Sequence, residues 1–415
     1  MKADRLIVRL LIAILAIAML ASCTPAATPA PTVAPQQPTD APKAAAPTSV
    51  PVAAQPTVAP AAPTSVPVAA QPTVAPAAPT GVPVAAQPTV APAAPAASGT
   101  LDKIQFRLNW TYYGEHTGFI VARDMGFYKD EGLNVEIMEG SGSTTVLQLA
   151  ANKTNPIAYV DAATMIRGVA AGMPVEAVAV MLQQSPMAFI YRADAAKPTK
   201  LSEIKGSKIA ITAGDASLAI FTAFMGKAGM KVDDVHMITV ATAASKEQAV
   251  LSGQADALLG YFMDQGPRMQ LQSGVKMGWT RLYDLNGTTT LSSAIVVNTD
   301  WLKDAKNQDI LRRFLRASQR GWQWTQDNPS QAADLFIKTA TAFNTDIAML
   351  EIKGTMSIVR SKAAEGKPLG WSAASDWKDS QDLLATYAGL SPVAPDVNVY
   401  FTNDYLSEVP YLPKK

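Results

Sequence analysis

The sequence predicts an α/β protein of two lobes, each built on a parallel sheet with helices packed against it. Three observations carry that reading. Short apolar strands alternate with segments of helical period from about residue 104 onward, the mark of βαβ units. The alternation restarts after residue 206, as a second copy of the layout. A last apolar strand, Ser293-Ala294-Ile295-Val296-Val297-Asn298, follows the second copy and reads as the return of the chain to the first lobe.

Residues 104–108 alternate as a strand, and 116–130 have helical apolar spacing through Phe119, Ile120, Ala122 and Phe127. A strand over 132–137 is next. Ser141-Gly142-Ser143-Thr144-Thr145 then opens a helix through Val146, Leu147 and Leu149, and 157–160 forms a buried strand. In the second copy 207–211 is a strand, Gly214-Asp215-Ala216-Ser217 a turn and 218–229 a helix, with strands over 235–240 and 257–261. After the return strand come helices, one entered at Thr299 or Asp300 and broken near Asn328-Pro329. On this reading lobe 1 comprises 99–191 and 293–415, lobe 2 comprises 192–292, and the lobes hinge near Tyr191-Arg192 and Ser292-Ser293.

Ahead of the folded part, Lys2, Arg5 and Arg9 precede an apolar run from Leu10 to Ala21. That run is shorter than the roughly 20 residues a spanning helix needs, so 1–22 reads as a signal peptide. Leu20-Ala21-Ser22-Cys23 holds the one cysteine of the 415 residues and resembles the bacterial lipobox, which implies a diacylglycerol anchor on Cys23. Residues 23–98 are almost entirely Pro, Ala, Thr, Val and Gln, with a 16-residue unit starting at Pro47, Pro63 and Pro79. The unit has nothing large to bury and so makes no solenoid. It reads as a disordered tether, whose prolines favour about 3.1 Å per residue and a reach on the order of 100 Å or more. A lone cysteine excludes disulfides within the chain and multi-cysteine metal sites, and a net charge of +1 carries no signature of nucleic-acid binding.

Arg107-Leu108-Asn109-Trp110, then His116-Thr117-Gly118, then Ala122-Arg123-Asp124-Met125-Gly126-Phe127-Tyr128-Lys129-Asp130-Glu131-Gly132-Leu133 resembles the opening of the thiamine-pyrimidine-synthase-like proteins. Gly168 to Val175 and Gly253-Gln254-Ala255-Asp256-Ala257 extend the likeness along the folded part. The resemblance implies a periplasmic-binding-protein type II fold and, for most bacterial members, a lipoprotein that captures solute for an ABC permease. It also raises the enzymatic members, which consume a histidine beside a lysine-bound pyridoxal phosphate. Val160 and Thr164 stand where that lysine and histidine belong, and Thr288-Thr289-Thr290-Leu291-Ser292-Ser293 replaces the iron-binding cysteines. Lacking those reagents, the chain is expected to be a binder without cofactor or metal.

Pyrimidine-binding relatives place an acidic residue in the turn where this chain has Phe262. An amino group left unpaired there costs about 1–3 kcal/mol, so a thiamine pyrimidine requires Asp264 to take the role. Trp110, Tyr113 and Tyr261 are expected as ring walls for a flat solute. Asn109, Gln183 or Gln184 offers paired donor and acceptor, and Asp161, Ser217 and Asp264 offer polar partners for a hydroxylated tail. Tyr159 and Tyr261 end strands, where the clefts of such sheets open. His116 either contacts ligand or caps the helix it opens; Gly214 to Ser217 is either a plain turn or an acceptor-binding helix start. The combination resembles the riboflavin-binding branch of the family, with riboflavin as the expected ligand. The alternatives are a formylaminopyrimidine or hydroxymethylpyrimidine and a sulfonate-type solute.

Overall fold

A computed structural model describes residues 100–407 apart from Asp215. The expected signal peptide, Cys23 and the Pro/Ala-rich tether lie outside the described residues. The strands are β1 Asp102–Arg107, β2 Leu133–Met138, β3 Ile157–Asp161, β4 Val175–Val180 and β5 Met187–Arg192. They continue as β6 Lys208–Thr212, β7 His236–Val240, β8 Ala257–Tyr261, β9 Met277–Arg281 and β10 Ser293–Asn298. Helices α1 Thr117–Asp124, α2 Phe127–Asp130, α3 Ser143–Ala151, α4 Ala162–Ala170, α5 Ser217–Lys227 and α6 Ala243–Leu251 precede α7 Gln265–Ser273 and α8 Leu282–Asn286. The C-terminal helices are α9 Ala305–Asp327, α10 Pro329–Thr339, α11 Thr345–Met356 and α12 Ala374–Tyr387.

Two five-stranded sheets result, ordered β2-β1-β3-β10-β4 and β7-β6-β8-β5-β9. Within the first, β1 runs parallel to β2 and β3, while β10 enters antiparallel between β3 and β4, setting Ile295 opposite Tyr159. The expected return strand therefore stands inside the sheet of lobe 1, between β3 and the edge strand β4. In the second sheet β5 is the antiparallel member and sets Phe189 opposite both Leu259 and Thr280. This moves the lobe boundary: β5, expected in lobe 1, belongs to lobe 2. Its residues 187–191 are buried, and a strand buried on both faces carries no alternation that says which sheet it joins.

The chain passes between the sheets over 181–186 and again over 282–292, and the two passages are tied together. Met181 and Leu182 donate their N–H groups to the Ser293 carbonyl at 2.9 and 3.0 Å, and Ser292 N–H donates to the Leu182 carbonyl at 2.9 Å. The expected hinge at Tyr191-Arg192 thus falls inside β5, whereas Ser292-Ser293 ends the second passage.

The long helix expected over 116–130 is two helices, because Gly126 takes φ +78° between Asp124 and Phe127. After β10 the chain enters a single 3-10 turn, Trp301–Lys303, at Asp300, and the long helix α9 starts separately, capped by Asp304, which accepts from Lys306 N–H at 2.8 Å. Lobe 1 packs around Phe106, which is fully buried with Phe119 at 4.9 Å and Phe314 at 5.0 Å between ring centres. Each such edge contact adds about 0.5–1.5 kcal/mol to the burial itself. Helices α1 and α9 cross closely where glycines face each other: a Cβ on Gly321 would lie 2.2 Å from the Gly118 carbonyl oxygen. That crossing fixes α1, and with it the loop from Asn109 to His116 at the mouth of the cleft.

Candidate functional site

The loop after β1 and the start of α3 face the turn before α5 and the end of β8 across a pocket between the lobes. Lobe 1 contributes Asn109, Trp110, Glu115 and Ser143; lobe 2 contributes Ser217, Lys246, Tyr261, Asp264 and Gln265. The enclosed volume is about 40 Å³, room for roughly three waters at 10–15 Å³ each. The lobes are in contact beside it, with Thr144 N–H of α3 donating to the Gly214 carbonyl at 3.4 Å. Gly214 holds φ +79°, a backbone conformation that a side chain disfavours, and this turns its carbonyl toward α3.

Behind Asn109 a chain of hydrogen bonds sets each donor and acceptor. Tyr113 N–H donates to His116 Nδ1 at 3.1 Å, so that nitrogen carries no proton. His116 Nε2–H therefore donates to Asn109 Oδ1 at 2.8 Å, and Asn109 Nδ2 donates to Glu115 Oε1 at 3.3 Å. Ser293 Oγ completes the chain by donating to Glu115 Oε2 at 3.3 Å. His116 is fully buried, and burial lowers its pKa to about 3, which keeps it neutral and matches the tautomer read from the geometry. Glu115 is buried as well; desolvation pushes it up to about 8 against the bonds from Asn109 and Ser293.

Asp264, 2% exposed, has its carboxyl raised well above the usual range, first by burial and then by the nearby Glu115 and Glu351. Its Oδ1 is buried and has no hydrogen-bond partner among the described residues, and the same holds for Trp110 Nε1. Lys246 donates to the Leu259 carbonyl at 3.0 Å and lies 5.6 Å from the centre of the Trp110 ring. The pocket thus presents two aromatic side chains from opposite lobes, an unpaired acceptor and an unpaired donor.

Of the residues singled out from the sequence, Asn109, Trp110, Ser217, Tyr261 and Asp264 come together at this pocket. The other seven do not line it; Gln183 donates to the Trp371 carbonyl at 2.8 Å and accepts from Ser361 N–H at 2.9 Å. Tyr113 is buried beneath Arg268, and His116 orients Asn109 from behind rather than facing the cleft. Tyr159 is a core ring, edge-on to Phe119 at 5.2 Å. Asp161 caps α4, accepting from the N–H groups of Ala163 at 2.9 Å and Thr164 at 3.3 Å, so its Oδ1 is committed to the helix. Gln184 donates to the Arg360 carbonyl at 2.8 Å, and Gly214 lines a separate groove of about 560 Å³ beside the pocket. Glu115, Lys246 and Gln265 were not anticipated. Glu115 neighbours His116 in the quoted loop, whereas the Lys246-Glu247 pair looks like any solvated helix face until the opposite lobe is in place.

A family model described as NMT1/THI5 like matches residues 114–332. The riboflavin-binding protein RibY of Chloroflexus aurantiacus is 26% identical over 318 residues, covering 75% of this chain and 88% of that protein. The formylaminopyrimidine-binding protein of Halalkalibacterium halodurans is 22% identical over 294 residues, 68% of this chain and 87% of its own length. Among solved structures, the alkanesulfonate-binding protein SsuA from Xanthomonas axonopodis pv. citri, bound to MOPS, superposes with a TM-score of 0.56 at 12% identity. The match covers 74% of this chain and all of SsuA and confirms the two-lobed periplasmic-binding-protein fold. With the family model spanning more than half of its length, the chain belongs to the NMT1/THI5-like family.

Proposed function

We propose that this protein is the solute-capturing component of an ABC importer, held outside the cell membrane by a lipid on Cys23, and that riboflavin is its ligand. The observation that carries the reading is Asp264: a buried carboxyl oxygen without a partner, in a residue that lines one pocket with aromatic residues of opposite lobes. A buried acceptor left unpaired costs about 1–3 kcal/mol, and a ring N–H of a flat heterocycle removes that cost. The uracil-like edge of an isoalloxazine has such an N–H beside a carbonyl, which suits Asp264 together with Trp110 Nε1. The names of the relatives in Chloroflexus aurantiacus and Halalkalibacterium halodurans support capture of a nitrogen heterocycle. Periplasmic sulfonate-binding proteins share the fold, and the signal-like start with Cys23 supports an extracytoplasmic site of action.

A second reading, an aminopyrimidine, is favoured by size. The pocket of about 40 Å³ is far below the roughly 300 Å³ or more of sites for larger ligands, so a tricyclic ring enters only with the lobes further apart. Glu115 and Asp264 put two carboxyl groups at the pocket, and a sulfonate is tolerated there only while both keep their protons.

Titration of riboflavin fluorescence separates these readings. Quenching on binding, weakened by Trp110→Ala, is the expected result; displacement by formylaminopyrimidine at much lower concentration would transfer the assignment to the pyrimidine. Mixing with pyridoxal phosphate tests the enzymatic alternative. Lys246 is an amine at the pocket, and a lysine–pyridoxal absorbance band lost in Lys246→Ala would overturn the reading of a pure binder.

A further inference from the structure

We propose that Arg268 is a latch that holds the lobes together independently of the solute. It lies on α7 in lobe 2, and its guanidinium sits 4.3 Å from the centre of the Tyr113 ring and 5.5 Å from that of Phe343, both in lobe 1. Nη2 donates to the Tyr113 hydroxyl oxygen and to Glu247, and the Tyr113 hydroxyl donates to Glu247 Oε1 at 3.2 Å. The side chains are largely removed from water: Arg268 is 12% exposed, Glu247 11% and Tyr113 fully buried. A planar cation covering an aromatic face while bonded to a carboxylate is an arrangement that lysine does not reproduce.

One helical turn further along α7, Gln272 donates to the Ala342 carbonyl at 3.1 Å, so the same face of the helix meets lobe 1 at two levels. Closer to the pocket, Gly354 of α11 approaches Met263 so closely that a Cβ on the glycine would lie 2.2 Å from that of the methionine. Tyr113, Glu247 and Arg268 do not line the pocket. Separating the lobes breaks their contacts whatever the solute is. A contact present in only one of two states shifts their ratio, and the apparent affinity of every ligand then follows the population of the competent state.

The latch rests on the reading of a two-lobed protein that opens and closes to capture solute, and it is testable with no solute present. The full chain carrying Cys23→Ser, with Lys129→Cys on lobe 1 and Lys231→Cys on lobe 2 as spin-label sites, reports the distance between lobes. Arg268→Gln is expected to lower the closed-to-open ratio by about 5- to 150-fold, the usual range for such couplings. Arg268→Lys is expected to recover little of it. Tyr113→Phe keeps the ring and removes the hydroxyl, giving a smaller shift in the same direction, and it serves if the arginine variants fold poorly. For any ligand that binds, the dissociation rate should rise by one common factor in Arg268→Gln. Identical distance distributions in parent and variants would overturn the latch, as would a loss confined to one ligand. Failure of riboflavin to bind, with the distance shift intact, would overturn the ligand assignment alone.

Discussion

Replacing Glu115 by Gln is expected to remove part of the protein's loss of stability in mild alkali. In the folded chain Glu115 holds its proton up to about pH 8, whereas its ordinary value is 4.5. Between those values the native state binds more protons than the unfolded one, so stability falls as pH rises. At about 1.4 kcal/mol per pH unit the whole effect has a ceiling on the order of 5 kcal/mol. His116 has the opposite sign: lowered from 6.5 to about 3, it contributes stability that is complete above 6.5 and is lost as pH falls toward 3. From 4.5 to 6.5 the two oppose each other, and above 6.5 His116 no longer changes. The clean window is therefore pH 6.5 to 8, where Glu115 alone accounts for about 2 kcal/mol. Asp264 and Glu351, also raised, add to the same slope. Glu115→Gln keeps an acceptor for Asn109 and has no proton to lose. In urea unfolding its midpoint should drop less between pH 6.5 and 8 than that of the parent, with the m-value unchanged. Parallel midpoint curves for the two proteins would refute the buried-carboxyl argument.

Asp264→Leu should move affinity and stability in opposite directions: the acceptor for the ring N–H is lost and binding of the heterocycle weakens by about 1–3 kcal/mol, while the melting temperature at pH 8 rises because a buried carboxyl is gone. Isothermal titration and a thermal scan on one preparation check both signs. Gly321→Ala drives a methyl into the Gly118 carbonyl, and backbone there has no rotamer by which to yield. A destabilisation of about 1–3 kcal/mol is expected as a lowered urea midpoint. Cys23→Ser should transfer the protein from the membrane fraction to the soluble fraction of the cell, with ligand affinity unchanged.

The alternation of strands and helices and the returning strand were legible because each depends on local period. Sheet membership was not, as β5 shows: its pairing with β8 and β9 is a long-range choice that burial on both faces conceals. The site divides along the same line. Asn109, Trp110, Tyr261 and Asp264 stand where strands end at the cleft, and sequence position was enough to find them. His116 and Asp161 are polar residues of the same stretches, yet their side chains are spent on Asn109 and on the start of α4. Only the partners decide whether a polar group serves a ligand or the fold. Glu247 and Arg268 were invisible for a related reason: their meaning comes from Tyr113, far away in the chain and on the other lobe.

The insertion of β10 between β3 and β4 governs the order in which the molecule can be built. A chain made from its N-terminus has β3 and β4 long before the strand that belongs between them, which arrives about a hundred residues later. Lobe 2, by contrast, is one uninterrupted segment and can finish first. Until residue 298 is available, β3 and β4 each present an unpaired edge, so a nascent or truncated chain ending near residue 290 carries one finished lobe and one incomplete one. Quality control that recognises exposed strand edges would act on that species, and on its first lobe.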